Sequence, residues 1–247
     1  MDHGGSVVEK ESTVVIVEPV ATTRTGWRRL FLPVTYGYAA LLISVTVLLS
    51  ILSEATQTRV VLHASTNLYN LLHGRIGTLF SSAFVIDDLQ SAAVIIPLLA
   101  CLLALAEMKF GALRLLRIFV VGHVGATVIV ALGLWIAVSA NWLPVEVTHV
   151  SDVGVSYGAM ALIGAFIALV PSRWKPTWAI TWLAVAVAGV AMGRTFTNVG
   201  HLLAFSIGLL AGYRVLRRGR TELPKLNAWE GGLLTAASML GYIMLVG

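Results

Sequence analysis

Long apolar runs alternate along the chain with short polar segments that hold most of its charges. Seven runs come close to the roughly 20 residues that a helix needs to span a bilayer. The predicted spans are residues 34–53, 90–106, 118–138, 153–171, 177–193, 199–216 and 229–246. The runs lack period-2 alternation, and in lipid only helices and closed barrels satisfy their backbone hydrogen bonds. The pattern therefore predicts an all-α, polytopic membrane helix bundle.

Composition favours the same class of protein. The chain is 57% hydrophobic and 12% charged, whereas a soluble domain carries about 25% charged residues. Its net charge of +5 comes from basic residues between the apolar runs, which membrane orientation explains without a nucleic-acid partner. The single cysteine, Cys101, excludes a disulfide within the chain. We expect no cleavable signal peptide, because the first apolar run follows about thirty mixed residues.

The basic residues also predict an orientation. With the N-terminus inside, 14 of the 17 Lys and Arg residues lie in cytoplasmic segments, and the outer segments hold only Arg59, Arg75 and Arg194. The positive-inside rule then predicts a cytoplasmic N-terminus and an external C-terminus. We expect a multi-pass protein of the plasma membrane.

This topology divides the chain into three parts. Residues 1–30 are predicted to form a cytoplasmic tail, residues 31–216 a membrane domain, and residues 217–247 a cytoplasmic loop followed by the last helix. The longest loop, residues 54–89, contains apolar pieces that we expect to lie in the membrane interface.

Two polar residues lie at the starts of apolar spans that begin on the same predicted side of the membrane. Ser156 lies between Gly154 and Gly158 at the start of the fourth span, and His201 lies at the start of the sixth. Both spans run in the same direction, so the two residues share a depth to within about a turn. An ionisable residue inside a membrane segment suggests a functional site, and a serine becomes a nucleophile when an adjacent base takes its proton. The alternative is that Ser156 and His201 are packing residues.

Five short motifs form a set around these residues. They are Gly154-Val-Ser156-Tyr157, Ala161-Leu-Ile-Gly164, the small-residue stripe from His201 to Gly212, Gly77 to Phe84, and Glu107-Met-Lys-Phe-Gly111. Over roughly residues 34–216 this set resembles the rhomboid intramembrane serine proteases, and more closely the divergent rhomboid-like proteins of actinomycetes. The resemblance implies a rhomboid-like six-helix core with a seventh C-terminal helix. It also implies a cofactor-free serine endopeptidase that cleaves transmembrane segments near the outer leaflet with a Ser156–His201 dyad.

Two departures from the family pattern support a second hypothesis. Tyr157 stands where the family has a glycine after its serine. The family's His-x-x-x-Asn pair, which serves its oxyanion site, falls at about Ser91 and Ile95, where only Gln90 and Ser91 are polar. The alternative function is therefore a catalytically inactive rhomboid-like pseudoprotease that binds membrane-protein helices.

Several further residues are candidates for supporting the dyad or the oxyanion. They are Gly154, Tyr157, Gln90, Ser91, Asn198 and His123. His123 lies between Gly122 and Gly125, where it is either a proton relay or a polar contact between closely packed helices. Asp152 is predicted to cap the fourth helix.

The remaining polar residues indicate neither a metal site nor a transport path. His63, His73 and His149 lack metal-ligand spacing, and no HExxH-like sequence is present, so we predict no metal. A small transporter is a weaker third hypothesis, because the chain shows no inverted repeat and no charged mid-membrane substrate site. We expect transmembrane segments of other proteins and the lipid bilayer as partners, with the oligomeric state left open.

Overall fold

The structure is a computed structural model that describes residue 1 and residues 31–86, 88–218 and 225–246. Residues 2–30 of the predicted tail and part of the predicted cytoplasmic loop therefore lie outside the described residues. The described residues contain ten α-helices. These are α1 Pro33–Ser50, α2 Glu54–Ala64, α3 Leu68–Leu72, α4 Thr78–Ser81, α5 Leu89–Phe110, α6 Ala112–Ser139, α7 Ser156–Ala165, α8 Lys175–Gly193, α9 Phe196–Arg218 and α10 Ala228–Val246.

Six of the described helices are long and apolar enough to cross a membrane. They are α1, α5, α6, α8, α9 and α10, and they correspond to six of the seven predicted spans. The described chain contains no strand, and the prediction of an all-α polytopic membrane bundle is confirmed.

The fourth predicted span is much shorter than the apolar run that suggested it. Helix α7 has only ten residues and continues into a 3-10 turn at Phe166–Ala168. At 1.5 Å per residue the α-helical part is about 15 Å long, half the hydrocarbon thickness of a bilayer. The helix begins late because Gly154 adopts a φ of +122°, a conformation that an α-helix cannot contain. Pro171, at the other end of the run, precedes a separate 3-10 turn, Ser172–Trp174.

Helix α7 is the central element of the bundle. Every residue from Tyr157 to Ala168 is buried, and α6, α9, α5 and α10 all pack against the helix. A helix that is apolar on all sides is typical of a buried core position. The run at 153–171 is therefore apolar because it is buried among other helices. The longer runs are apolar because they also face lipid.

Small residues let α9 approach α7 so closely that the backbones of the two helices are in contact. A Cβ atom added at Gly208 would collide with the carbonyl oxygen of Ala161, and one added at Gly212 would lie 2.7 Å from that of Ala165. In the other direction, a Cβ at Gly164 would collide with the carbonyl oxygen of Phe205. Such close contact replaces the hydrophobic driving force that is missing between helices in lipid.

Buried charged groups fix α1 and α10 to the C-terminal end of α5. The carboxylate of Glu107 accepts hydrogen bonds from the backbone N–H groups of Val34 (3.1 Å) and Thr35 (2.8 Å) and from the Thr35 hydroxyl (2.7 Å). It thereby caps the first turn of α1, whose N–H groups have no partner within the helix. Two residues further on, the Lys109 ammonium lies 2.8 Å from the carboxylate of Glu230, in the first turn of α10.

We predict that Gly208→Ala destabilises the bundle by about 1–3 kcal/mol, the usual cost of overpacking a closely packed core. The added methyl group meets backbone atoms of α7, which cannot move aside as a flexible side chain would. The matched control is Gly37→Ala on α1, where a Cβ would meet nothing within 4 Å. Melting temperatures in detergent should fall for Gly208→Ala only, and equal values for both variants would contradict the packing argument.

Candidate functional site

The first turn of α7 is held in place by the segment that follows α4. The Gly154 N–H donates a hydrogen bond to the carbonyl oxygen of Ser82 (2.8 Å), which lies in a 3-10 turn, Ser82–Phe84. Val155 is the N-cap residue and Ser156 is the first residue of the helix. Ser156 is half-buried. Its backbone N–H lies at the N-terminus of α7, which is the positive end of the helix dipole.

Asp152 is a structural anchor at the entrance to α7. Its N–H donates to the Ser65 hydroxyl (2.7 Å), and its carbonyl oxygen accepts from the Thr66 N–H (3.0 Å). Its carboxylate accepts a bond from the Tyr157 hydroxyl (3.3 Å). The prediction that Asp152 caps the helix is wrong: Val155 is the N-cap residue and makes no side-chain cap bond, because the turn at Gly154 separates Asp152 from the helix start.

The environment of Asp152 changes its acidity. Burial raises the pKa of the carboxyl group from 3.8 to about 6, and the hydrogen bond from Tyr157 opposes this shift in part. Desolvation disfavours the charged form of a carboxyl group.

Tyr157 lies between the two buried histidines. Its ring centroid is 5.5 Å from that of His201, in an edge-to-face arrangement with an interplanar angle of 80°, and 6.1 Å from that of His123. The ring fits there because residue 200 is a glycine, and a Cβ at Gly200 would collide with the tyrosine. The sequence showed Tyr157 as an unusual residue but did not show where its ring would lie.

His201 is buried and has polar atoms without partners. It lies in the second turn of α9 and is 4% exposed. Within the described part of the chain, neither of its ring nitrogens has a hydrogen-bond partner, so no such bond joins it to Ser156. Buried polar atoms nearly always have partners, and an exception needs an explanation such as a catalytic role or a bound water.

The second buried histidine, His123, belongs to a polar contact that the sequence did not reveal. Its Nε2 atom lies 3.2 Å from the hydroxyl oxygen of Ser82. Ser82, His123, Ser156 and Tyr157 line one narrow crevice, which we call the Ser156 crevice. Ser82 lies in the motif from Gly77 to Phe84, but nothing in the sequence indicated that its side chain would meet His123, because only the tertiary fold brings this segment next to α6 and α7.

The other candidate residues lie away from the Ser156 crevice. The Asn198 side-chain amide donates to the carbonyl oxygen of Gly189 (2.6 Å) and so joins α9 to α8. Gln90 is exposed at the start of α5, and the Ser91 N–H is bonded to the carboxylate of Asp88 (2.7 Å). Among the residues described, no three His, Cys, Asp or Glu side chains are grouped so that they could hold a metal ion.

Comparison with known proteins identifies one family. A family model described as "Rhomboid-like protein" matches residues 29–223, which is well over half of the 247 residues. No significant match was found among curated proteins or among solved structures. The matched region contains all of the motif set and every candidate site residue.

We predict that the wild type loses stability relative to Asp152→Asn as the pH rises from about 4 to 7. A carboxyl group whose pKa is raised on folding stabilises the native state below its unfolded value of 3.8, and this contribution is lost as the pH passes about 6. The shift corresponds to on the order of 3 kcal/mol. The melting temperature of the wild type in detergent, minus that of Asp152→Asn, should therefore fall over this range.

The control for this measurement is Asp88→Asn. Hydrogen bonds from Ser91 lower the pKa of the exposed Asp88 carboxyl group, so its contribution changes only at more acidic pH. The difference in melting temperature between this variant and the wild type should stay constant between about pH 5 and 7. If the difference between the wild type and Asp152→Asn does not change with pH, the raised pKa does not belong to Asp152.

Proposed function

The chain belongs to the rhomboid-like family, and on that basis we propose that it is an intramembrane serine protease with Ser156 as nucleophile and His201 as base. The observation that carries this proposal is the environment of the His201 side chain. Its two ring nitrogens are buried without a partner in the described chain, and its ring contacts the tyrosine that follows Ser156. An imidazole held in this way, next to the first turn of a buried helix, is available to accept a proton.

The proposed reaction is acyl transfer through a covalent intermediate. His201 takes the proton of the Ser156 hydroxyl as its oxygen attacks the peptide carbonyl, and then returns the proton to the leaving amine. Water hydrolyses the resulting acyl-enzyme. The N–H groups in the first turn of α7 would be the donors to the oxyanion, and the helix dipole favours negative charge at this end of the helix.

The dyad must close before it can act. Catalytic hydrogen bonds are often absent in an empty site and form when the substrate binds. The carboxylate of Asp152 contacts Tyr157, and no carboxylate contact with His201 is found among the described residues. This arrangement supports a dyad instead of a triad.

The same site supports the second candidate, a pseudoprotease that binds transmembrane segments without cleaving them. The specific observation is Tyr157, whose ring packs against His201 next to the proposed nucleophile. In addition, Gln90 is exposed and Ser91 lies in the turn capped by Asp88, so neither supplies an oxyanion donor to the crevice.

The setting of the reaction follows from the fold and the charge distribution. The protein is a multi-pass membrane protein in contact with the bilayer. We propose that it resides in the plasma membrane with the N-terminus cytoplasmic and the C-terminus external, which puts Ser156 near the outer leaflet. Its substrates would be transmembrane segments of other membrane proteins, and the reaction requires no cofactor.

We predict that a fluorophosphonate probe labels the purified protein and that Ser156→Ala and His201→Ala each abolish the labelling. The probe phosphonylates only a serine that an adjacent base activates: the serine oxygen bonds to phosphorus, fluoride leaves, and the base takes the hydroxyl proton. Matched controls are Ser206→Ala, whose hydroxyl bonds to its own helix at Leu202 (2.8 Å), and His149→Ala in a loop turn. Both controls should be labelled like the wild type, as measured by gel fluorescence.

The labelling result separates the two candidates. If the folded wild type is not labelled, the protease proposal fails and the pseudoprotease becomes the better description. Labelling that persists in Ser156→Ala would assign the reactive group to another residue. Size-exclusion profiles and melting temperatures of each variant show that a loss of labelling is not a loss of folding.

A further inference from the structure

Several helices begin or end together at one end of the bundle. The Lys109–Glu230 ion pair joins the end of α5 to the start of α10. The ring centroids of Phe110 and Phe166 are 6.0 Å apart, which puts the end of α7 at the same level. Gly212 packs against the last turn of α7, so the final turns of α9 lie there too. Helix α6 starts directly after α5, and α8 follows the 3-10 turn after α7.

Six cationic side chains of the described chain are exposed at this end. We call them the basic rim. They are Arg114, Arg117, Arg173, Arg214, Arg217 and Lys225. Within the described residues none of the six forms a salt bridge. The guanidinium group of Arg173 lies over the ring of Trp174, 5.7 Å from its centroid, and this contact leaves its charge uncompensated.

The acidic side chains described at this end do not neutralise the basic rim. Glu107 is buried and accepts three hydrogen bonds from the start of α1. Glu230 is buried against Lys109. The opposite end of the same helices is balanced in the described chain, because three exposed acids accompany three exposed cations there. They are Glu54, Asp88 and Glu146 with Arg59, Arg75 and Arg194.

Four arginines of the basic rim form two pairs with the same spacing. Arg114 and Arg117 are three positions apart on α6, and Arg214 and Arg217 are three positions apart on α9. Residues at this spacing are neighbours on one helix face, where two like charges repel each other. An anion between the two guanidinium groups removes the repulsion, and the oxygens of a phosphate group can accept hydrogen bonds from both.

Exposed aromatic rings favour a lipid as the source of that anion. Trp174, Tyr213 and Trp229 are all exposed at this end of the bundle, and Tyr213 directly precedes Arg214. Trp and Tyr are enriched where their rings lie at the level of the lipid headgroups. The phosphates of phospholipids lie at this level, whereas a nucleic acid would approach the rim from water.

We propose that the basic rim binds anionic phospholipids, with each arginine pair holding one headgroup phosphate. Phosphatidylglycerol has this chemistry, because its phosphate is not accompanied by the ammonium group that neutralises phosphatidylcholine. In the proposed orientation the basic rim faces the cytoplasmic leaflet, which is the anionic one. The inference goes beyond the proposed function, since it involves neither Ser156 nor His201.

The test measures lipid selectivity with spin-labelled lipids. The full-length protein is reconstituted in phosphatidylcholine vesicles that contain a trace of spin-labelled phosphatidylglycerol or spin-labelled phosphatidylcholine. The motionally restricted fraction of each spectrum reports the association of that lipid with the protein. We expect phosphatidylglycerol to associate about two- to fivefold more strongly, the upper value being the effect of one basic group at an anionic surface. The preference should shrink in about 1 M salt, which screens exposed charges.

Matched variants locate the preference on the protein. The double variant Arg114→Gln with Arg217→Gln breaks both pairs and should lower the preference for phosphatidylglycerol. Adding Arg117→Gln and Arg214→Gln should leave the two lipids bound almost equally. The control is Arg59→Gln with Arg194→Gln, which removes the same charge from the opposite end and should keep the wild-type preference.

The outcomes decide the inference without reference to catalysis. A stepwise loss of the preference in the double and quadruple variants, with the control unchanged, would support it. A wild type that binds both lipids equally, a preference that survives the loss of all four arginines, or an equal loss in the control would overturn it. Melting temperatures show that each variant is folded. None of these results depends on fluorophosphonate labelling, so this inference and the proposed function can fail separately.

Discussion

The structure depends on the backbone contact between α7 and α9. Apolar side chains gain little by contacting each other instead of lipid, so helices in a bilayer associate through close packing. Gly164, Gly208 and Gly212 allow that packing because a side chain at any of them would collide with the opposite helix. The contact keeps a ten-residue helix in the centre of the bundle, and it brings Tyr157, at the start of this helix, against His201 on its neighbour.

The segment between α1 and α5 completes the site. Ser65, Thr66 and Ser82 bond to the chain at Asp152 and Gly154, so the segment that leads into α7 and Ser156 is fixed by the short helices and turns between α1 and α5. Hydrogen bonds are well suited to this role because water competes poorly for them in a buried setting. The long helices thus position His123 and His201, while the loop segment positions the serine.

The prediction of the helices succeeded where the pattern reports a local property. Long apolar runs and polar breaks identified six membrane helices, with ends that differ from the observed ones by six residues at most, because exposure to lipid acts on each run separately. The same pattern overestimated the length of the helix in the fourth run, since residues buried in protein and residues facing lipid are equally apolar. Glu107 and Gly111 were singled out in the sequence, and in the structure they cap α1 and end α5 with a φ of +81°.

The sequence by itself determined the class of protein, the helices and the expectation that Ser156 and His201 lie at one depth, because composition and spacing along a helix are enough for these. Only the tertiary structure decided which side chains meet. It turned Asn198 toward α8, set the ring of Tyr157 against His201, and brought Ser82 to His123. Such contacts join segments far apart in the chain, and they depend on how closely two backbones approach and how each helix is rotated.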